Sequence, residues 1–157
     1  MKLKEKIAII TGGASGMGRA TAELFAKEGA KVAILDLNET EGQKTIDLIK
    51  KNDGEGIFLK TDVSNSKEVD QSIKKIVNNF GEINILFNHA GTIIVKPLHE
   101  STEEDYDYLM NINVRSAFLL CNKVIPLMIN NGGGNIVITS SIGGEKGFAY
   151  ESLYCMT

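Results

Sequence analysis

Short apolar runs alternate with longer amphipathic segments along most of the chain, and this alternation constrains the fold more than any other feature. The apolar runs predict strands at 6–11, 31–35, 56–60, 83–87 and 135–139, and the segments between them predict helices at 16–28, 40–52, 66–80 and 103–129. In the first helix, Met17, Ala20, Leu24 and Phe25 fall on one face. Continuous apolar strands separated by helices indicate an α/β fold whose parallel sheet is covered on both faces.

Composition and charge exclude several classes of function. The net charge of −3 provides no basic surface for nucleic acid. No apolar run approaches the roughly 18 residues of a membrane span, so no membrane partner is expected. Cys121 and Cys155 form neither a disulfide framework nor a metal-ligand pattern. We therefore expect reduced thiols, no metal and a cytoplasmic protein.

A glycine-rich stretch, TGGASGMGRA, follows the first predicted strand and opens the first predicted helix. Its glycines are Gly12, Gly16 and Gly18. Ligands of doubly wound sheets bind outside the carboxyl ends of the strands, where a helix N-terminus favours a phosphate. The spacing G-x-x-x-G-x-G differs from the common G-x-G-x-x-G fingerprint. Nucleotide binding and an ordinary tight turn are both open on this evidence.

Two acidic residues end the second and third predicted strands. Asp36 stands where a carboxylate can accept hydrogen bonds from a ribose diol, and it would repel a 2′-phosphate. Because Leu37 and Asn38 supply no cation, NAD is predicted rather than NADP. The alternative role for Asp36 is that of a solvated aspartate that caps a helix. Asp62 could cap a turn or bind an adenine amino group, and the sequence does not separate these roles.

The combined pattern resembles the short-chain dehydrogenases/reductases that carry a T-G-x-x-x-G-x-G loop, over the whole chain. The resemblance implies a Rossmann-type sheet with strand order 3-2-1-4-5, forming one dinucleotide-binding domain over 1–157. Asn88-His89-Ala90-Gly91 is similar to the family's N-N-A-G, with His in place of the second Asn. The cofactor-binding residues implied are Gly12, Ser15, Gly16, Met17, Gly18, Asp36, Asp62, Val63, Asn88, Ala90 and Gly91.

The same resemblance implies three catalytic residues, Asn113, Ser141 and Tyr154. Asn113 would order a water relay, although an amide in an apolar helix stripe could equally be structural. Ser141 is favoured over Ser140 because its spacing to Tyr154 matches the family. His89 is expected to make local hydrogen bonds near the cofactor and not to act as acid or base, and His99 is expected on the surface.

These assignments imply hydride transfer between NAD and a secondary alcohol or ketone, with Tyr154 as general acid/base and Ser141 stabilising the substrate oxygen. A free tyrosine has a pKa of about 10, and the family lowers it with a lysine four residues later. This sequence ends at Thr157, before that position. We therefore expect the C-terminal part of the fold to be missing, the 157-residue chain to be inactive, and the full-length protein to be a homo-oligomer.

Two other functions remain as alternatives. A non-catalytic NAD-binding module would share the glycine loop and Asp36 and differ only at Tyr154. A sugar-nucleotide epimerase is less consistent with the sequence, because its loop is usually G-x-x-G-x-x-G.

Overall fold

The computed structural model describes residues 1–157 and contains one five-stranded sheet. Every strand pair is parallel and the order is β3-β2-β1-β4-β5, which confirms the predicted fold class and strand order. The strands are β1 (Ile7–Thr11), β2 (Lys31–Asp36), β3 (Glu55–Lys60), β4 (Ile85–Asn88) and β5 (Asn135–Ile138). The fourth strand thus begins two residues after its predicted start, although Ile83 is fully buried.

Helices cover both faces of this sheet, as continuous apolar strands require. They are α1 (Gly16–Lys27), α2 (Glu39–Lys51), α3 (Ser66–Phe80), α4 (Glu103–Leu109), α5 (Ser116–Asn130) and α6 (Ser152–Cys155). Strand β1 is buried throughout and divides its side chains between two cores. Ile7 and Ile9 join the core that includes α3 and α5, whereas Ala8 and Ile10 join the core that includes α1 and α2.

Of the four residues predicted to form the packing face of α1, only Phe25 packs against the core. Met17 and Leu24 are 68% and 55% exposed, and Ala20 is also exposed. The buried residues are Gly18, Ala22 and Ala26. Small residues allow the helix backbone to lie close to the sheet and the glycine loop, and this requirement outweighs the burial of the larger side chains.

The predicted helix over 103–129 is three segments, because a π-helical turn, Met110–Arg115, separates α4 from α5. The continuous stretch Glu103–Asn130 is long and apolar enough to cross a membrane by length and composition alone, and core helices of globular proteins meet the same criterion. Leu119, Leu120, Val124 and Met128 of α5 belong to the core shared with the sheet.

Candidate functional site

The glycine loop connects β1 to α1 at the carboxyl edge of the sheet. Gly12 and Gly16 have positive φ angles of 69° and 52°, a conformation that glycine adopts without strain. A Cβ on Gly18 would lie 2.7 Å from the carbonyl carbon of Gly12, whereas a Cβ on Gly16 would meet nothing within 4 Å. The loop is therefore packed tightly against its own helix at Gly18 and open toward the outside at Gly16.

The N-terminus of α1 differs from those of α2, α3 and α4. Those three helices are capped by the side chains of Asn38, Asn65 and Thr102, and each has at least one acidic residue in its first turn. Helix α1 begins after Ser15, whose side chain makes no capping bond, and its first turn has no acidic residue. Its first N–H groups and the positive end of its dipole are thus available to an anion.

Asp36 lies beside this loop at the end of β2. Its Oδ2 accepts a hydrogen bond from the Ala14 N–H at 3.0 Å, and its Oδ1 accepts one from the Asn38 N–H at 3.0 Å. A carboxylate offers about four acceptor sites, so each oxygen of Asp36 can still accept a hydrogen bond from a hydroxyl group. The Asn38 side chain, and not that of Asp36, caps α2.

Asp62 follows the third strand and does cap a turn. Its Oδ1 accepts from both the N–H and the hydroxyl of Ser64, at 2.9 and 2.7 Å. It also lines the first of two grooves at this edge of the sheet. Val63 is 7% exposed and belongs to the core with α3.

The segment after β4 is fixed by a single hydroxyl from β1. Thr11 Oγ1 accepts from the N–H groups of His89 and Ala90, each at 2.9 Å, and Thr11 is fully buried. Asn88 is 3% exposed, and the closest partner of its side chain is the Thr11 hydroxyl at 3.4 Å. These bonds hold the Ala90–Gly91 backbone facing the glycine loop, where a Cβ on Gly12 would lie 3.1 Å from Ala90 Cα.

His89 makes the local contacts expected of it. Its Nδ1 lies 2.9 Å from Thr139 Oγ1, and its ring stacks on Phe87 with a centroid separation of 5.1 Å. Burial lowers the pKa of His89 from its ordinary value of 6.5. The side chain therefore links the ends of β4 and β5, while His99 is on the surface with 82% of its side chain exposed.

Asn113 lies in the π-helical turn and pairs with the backbone of Thr92. Its Oδ1 accepts from the Thr92 N–H at 2.8 Å, and its Nδ2 donates to the Thr92 carbonyl at 2.9 Å. The same Nδ2 donates to Thr157 Oγ1 at 3.0 Å. This amide thus has a structural role, tying the loop after β4 to the helix, and π-turns of this kind are frequent at functional sites.

Ser141 and Tyr154 are brought together by a tight turn after β5. Ser141 Oγ accepts from the Gly143 N–H at 3.1 Å and caps a short 3₁₀ helix, Ile142–Gly144. A Cβ on Gly143 would lie 3.3 Å from the Tyr154 ring and 3.4 Å from Ser141 Oγ, so a larger residue there would push the Tyr154 ring by a few tenths of an ångström. The structure brings Ser141, Tyr154 and Asn113 to one groove.

Two adjoining grooves run along the carboxyl edge of the sheet, with volumes of about 390 and 440 Å³. The first contains Asp36 and Asp62, and the second contains Ser141 and Tyr154. Both are lined by the residues Met17, His89, Ala90, Gly91 and Thr92.

Some lining residues had no signal in the sequence. Tyr108 and Ile112 reach the first groove from α4 and the π-helical turn, and Thr92 lines both grooves. Arg19 supports the glycine loop, because its guanidinium donates to the Ala14 carbonyl. Only the pairing of distant segments in the fold brings these residues to the site.

Comparisons with known proteins agree with this geometry. A family model described as short chain dehydrogenase matches residues 6–157. An uncharacterized oxidoreductase of Thermotoga maritima is 40% identical over 157 residues, which are 100% of this chain and 62% of the relative. Sorbitol dehydrogenase of Cereibacter sphaeroides is 36% identical over 158 residues, covering 100% of this chain and 60% of that protein.

A solved structure, NAD⁺-bound xylitol dehydrogenase, matches with a TM-score of 0.95 and 30% identity over 99% of this chain and 60% of that one. The parallel sheet, its strand order and these matches define an α/β protein with a Rossmann-type fold. More particularly, the chain belongs to the short-chain dehydrogenase/reductase family, as its motifs indicate. It spans about 60% of the length of the relatives named here.

Proposed function

We propose that this chain carries the cofactor site and catalytic residues of an NAD-dependent oxidoreductase that interconverts a secondary alcohol and a ketone. The observation that carries the proposal is the pair of adjoining grooves, with Asp36 at one end and Ser141 and Tyr154 at the other. An elongated dinucleotide with a reactive group at one end matches this arrangement. The names of the relatives, sorbitol and xylitol dehydrogenase, support an alcohol substrate.

The residues present fit such a cofactor. The open space at Gly16 and the uncapped N-terminus of α1 suit a pyrophosphate. The free acceptor sites of Asp36 suit a ribose diol. Ser15, Met17 and Gly18 would hold the phosphate end, with Gly12 allowing the close approach of the Ala90–Gly91 segment that Asn88 supports. Asp62 and Val63 would bound the adenine.

At the other end, a bound nicotinamide would supply the hydride transfer. Ser141 Oγ already accepts a hydrogen bond from Gly143, so its O–H is free to donate to a substrate oxygen. The Tyr154 hydroxyl, on the neighbouring short helix, would give a proton to that oxygen in reduction and take it in oxidation. Asn113 would act through the Thr92 backbone, by holding the wall of the groove.

The proposed preference for NAD is tested by isothermal titration calorimetry with NADH and NADPH. We expect NADH to bind more tightly, because Asp36 would repel a 2′-phosphate. Asp36→Ala should narrow the difference in affinity between NADH and NADPH. Asp47→Asn, which removes an exposed charge on α2, should leave this difference unchanged. Tighter binding of NADPH by the unaltered chain would refute the preference.

A second candidate is a non-catalytic NAD-binding module. The observation in its favour is that Gly16 and Asp36 line the first groove, whereas Ser141 and Tyr154 line only the second, so the proposed cofactor residues do not depend on the catalytic pair. The two candidates are separated by measuring NADH production from a panel of secondary alcohols. Turnover that is lost in Tyr154→Phe, with NADH affinity unchanged, would establish catalysis; NADH binding without turnover by a chain extended to the length of its relatives would support the module.

A further inference from the structure

Two cationic side chains, from residues distant in sequence, are connected to Asp36 in the fold. Lys60 is the register partner of Asp36 across β2 and β3. Arg19 is connected to Asp36 through one residue, because its guanidinium donates to the Ala14 carbonyl while the Ala14 N–H donates to Asp36 Oδ2. A cation in this region would attract the phosphate that distinguishes NADP from NAD.

Each of these cations is paired with a glutamate in the first turn of α2. Lys60 Nζ is 4.0 Å from Glu39 Oε2, and both side chains are more than 60% exposed. An exposed ion pair at this separation contributes little. Arg19 Nη2 is 2.7 Å from Glu41 Oε2, with only 26% and 33% of the two side chains exposed. The pairing of Arg19 is therefore the stronger of the two.

The position of Arg19 is fixed from several directions. Its Nε donates to Thr45 Oγ1 at 2.9 Å, and Thr45 is fully buried. The Glu41 carboxylate is itself held by Lys44 Nζ at 2.5 Å. Hydrogen bonds from Lys44 and Arg19 lower the pKa of Glu41, so it remains charged at neutral pH. Arg19 is thus held against α2 and the inner side of the glycine loop.

We propose that Glu41 is a specificity-determining residue, because its carboxylate neutralises the Arg19 guanidinium, whose positive charge would otherwise favour a 2′-phosphate beside Asp36. Asp36 repels the phosphate directly, and Glu41 acts through Arg19 by removing the compensating positive charge. This inference rests on the proposed binding of NAD and adds a residue that does not contact the cofactor.

The test is the ratio of the NADPH and NADH dissociation constants, measured by calorimetry at low salt. In Glu41→Ala the Arg19 guanidinium keeps its hydrogen bonds to Thr45 and Ala14 but loses its anionic partner. Its uncompensated charge should attract the 2′-phosphate, and we expect the ratio to fall about tenfold, the order of magnitude for one unit charge near the phosphate at an intermediate effective dielectric constant. Adding Arg19→Met to this variant should restore the original ratio. Glu41→Gln, which keeps the helix propensity of the site, should give a smaller fall and replaces Glu41→Ala if that variant does not fold.

Asp70 provides a matched control on the opposite face of the sheet. Its carboxylate also joins two cations, Lys74 at 2.7 Å and Lys123 at 3.0 Å, and its side chain is 32% exposed. Asp70→Ala changes the net charge as Glu41→Ala does, but it should not change the ratio. An equal fall in Asp70→Ala, or a fall that persists without Arg19, would overturn the inference.

The outcomes separate this inference from the proposed function. If the unaltered chain prefers NADH and Glu41→Ala has the same ratio, the role of Glu41 is wrong and the NAD proposal stands. If the unaltered chain binds neither nucleotide, both fail.

Discussion

Replacing Gly18 by alanine tests how closely α1 must lie against the glycine loop. The added Cβ would be 2.7 Å from the Gly12 carbonyl carbon and 3.1 Å from Gly13 Cα, and side-chain carbons essentially never lie within 3.0 Å of such atoms. The opposing atoms are backbone and cannot rotate away. The N-terminal turn of α1 must therefore move away from the loop by several tenths of an ångström or more.

The expected loss of stability follows from two opposing effects. Overpacking of a tight contact costs about 1–3 kcal/mol. Alanine recovers up to about 1 kcal/mol relative to glycine through its higher helix propensity. We therefore expect Gly18→Ala to lower the free energy of unfolding by about 1–2 kcal/mol, and to weaken NADH binding about tenfold or more through the displaced loop.

Urea unfolding and NADH calorimetry on the same preparations measure both quantities. Gly134→Ala is the control, because Gly134 precedes β5 at the opposite edge of the sheet and its added Cβ would lie 2.6 Å from Met128 Cγ and 3.0 Å from the Asn84 carbonyl oxygen. That variant should keep its NADH affinity whatever its loss of stability. If Gly18→Ala retained both stability and affinity, or if Gly134→Ala weakened NADH binding equally, the reasoning would be refuted.

Three further predictions concern other parts of the site. Gly16→Val should weaken NADH binding by more than its loss of stability explains, because the valine side chain would occupy the open space proposed for the phosphate. Unchanged NADH affinity in a folded variant would indicate that the loop is an ordinary turn. Burial lowers the pKa of His89, so the unfolded chain binds more protons as the pH falls below about 6.5, and stability should decline there; His89→Gln should remove this part of the pH dependence in urea titrations. Asn113→Asp loses the hydrogen bond to the Thr92 carbonyl and should cost about 1–3 kcal/mol in unfolding free energy, whereas an unchanged midpoint would contradict the structural role.

The elements that could be predicted from sequence are those with local causes. Helix α3 begins and ends where its periodicity predicts, because Asn65 caps it and Gly81 follows it with positive φ. The acidic residues at the ends of β2 and β3 could be found because strand ends are marked by apolar runs. The family resemblance could also be recognised from the sequence, because its motifs are short and keep their order along the chain.

The features that could not be predicted depend on distant contacts. The π-helical turn has no local signature, and its Asn113 pairs with Thr92 in another segment. The predicted packing face of α1 was wrong except at Phe25, because large apolar residues dominate a periodicity count, whereas the fold needs Gly18 and Ala22 at the contact. The link from Glu41 through Arg19 to Ala14 joins three elements and exists only in the folded chain.

The strand order has a consequence for how the chain assembles as it is synthesised. Strands β1, β2 and β3 are consecutive in sequence and adjacent in the sheet, so this half can pair as soon as Lys60 has emerged. The other edge of β1 pairs with β4, which begins at Ile85. At roughly 5–20 residues per second of synthesis, that edge stays open for about one to five seconds. During this interval β1, the most apolar strand, has unpaired backbone N–H and C=O groups along one edge. The nascent chain is therefore most vulnerable to misassembly before its fourth strand has been synthesised.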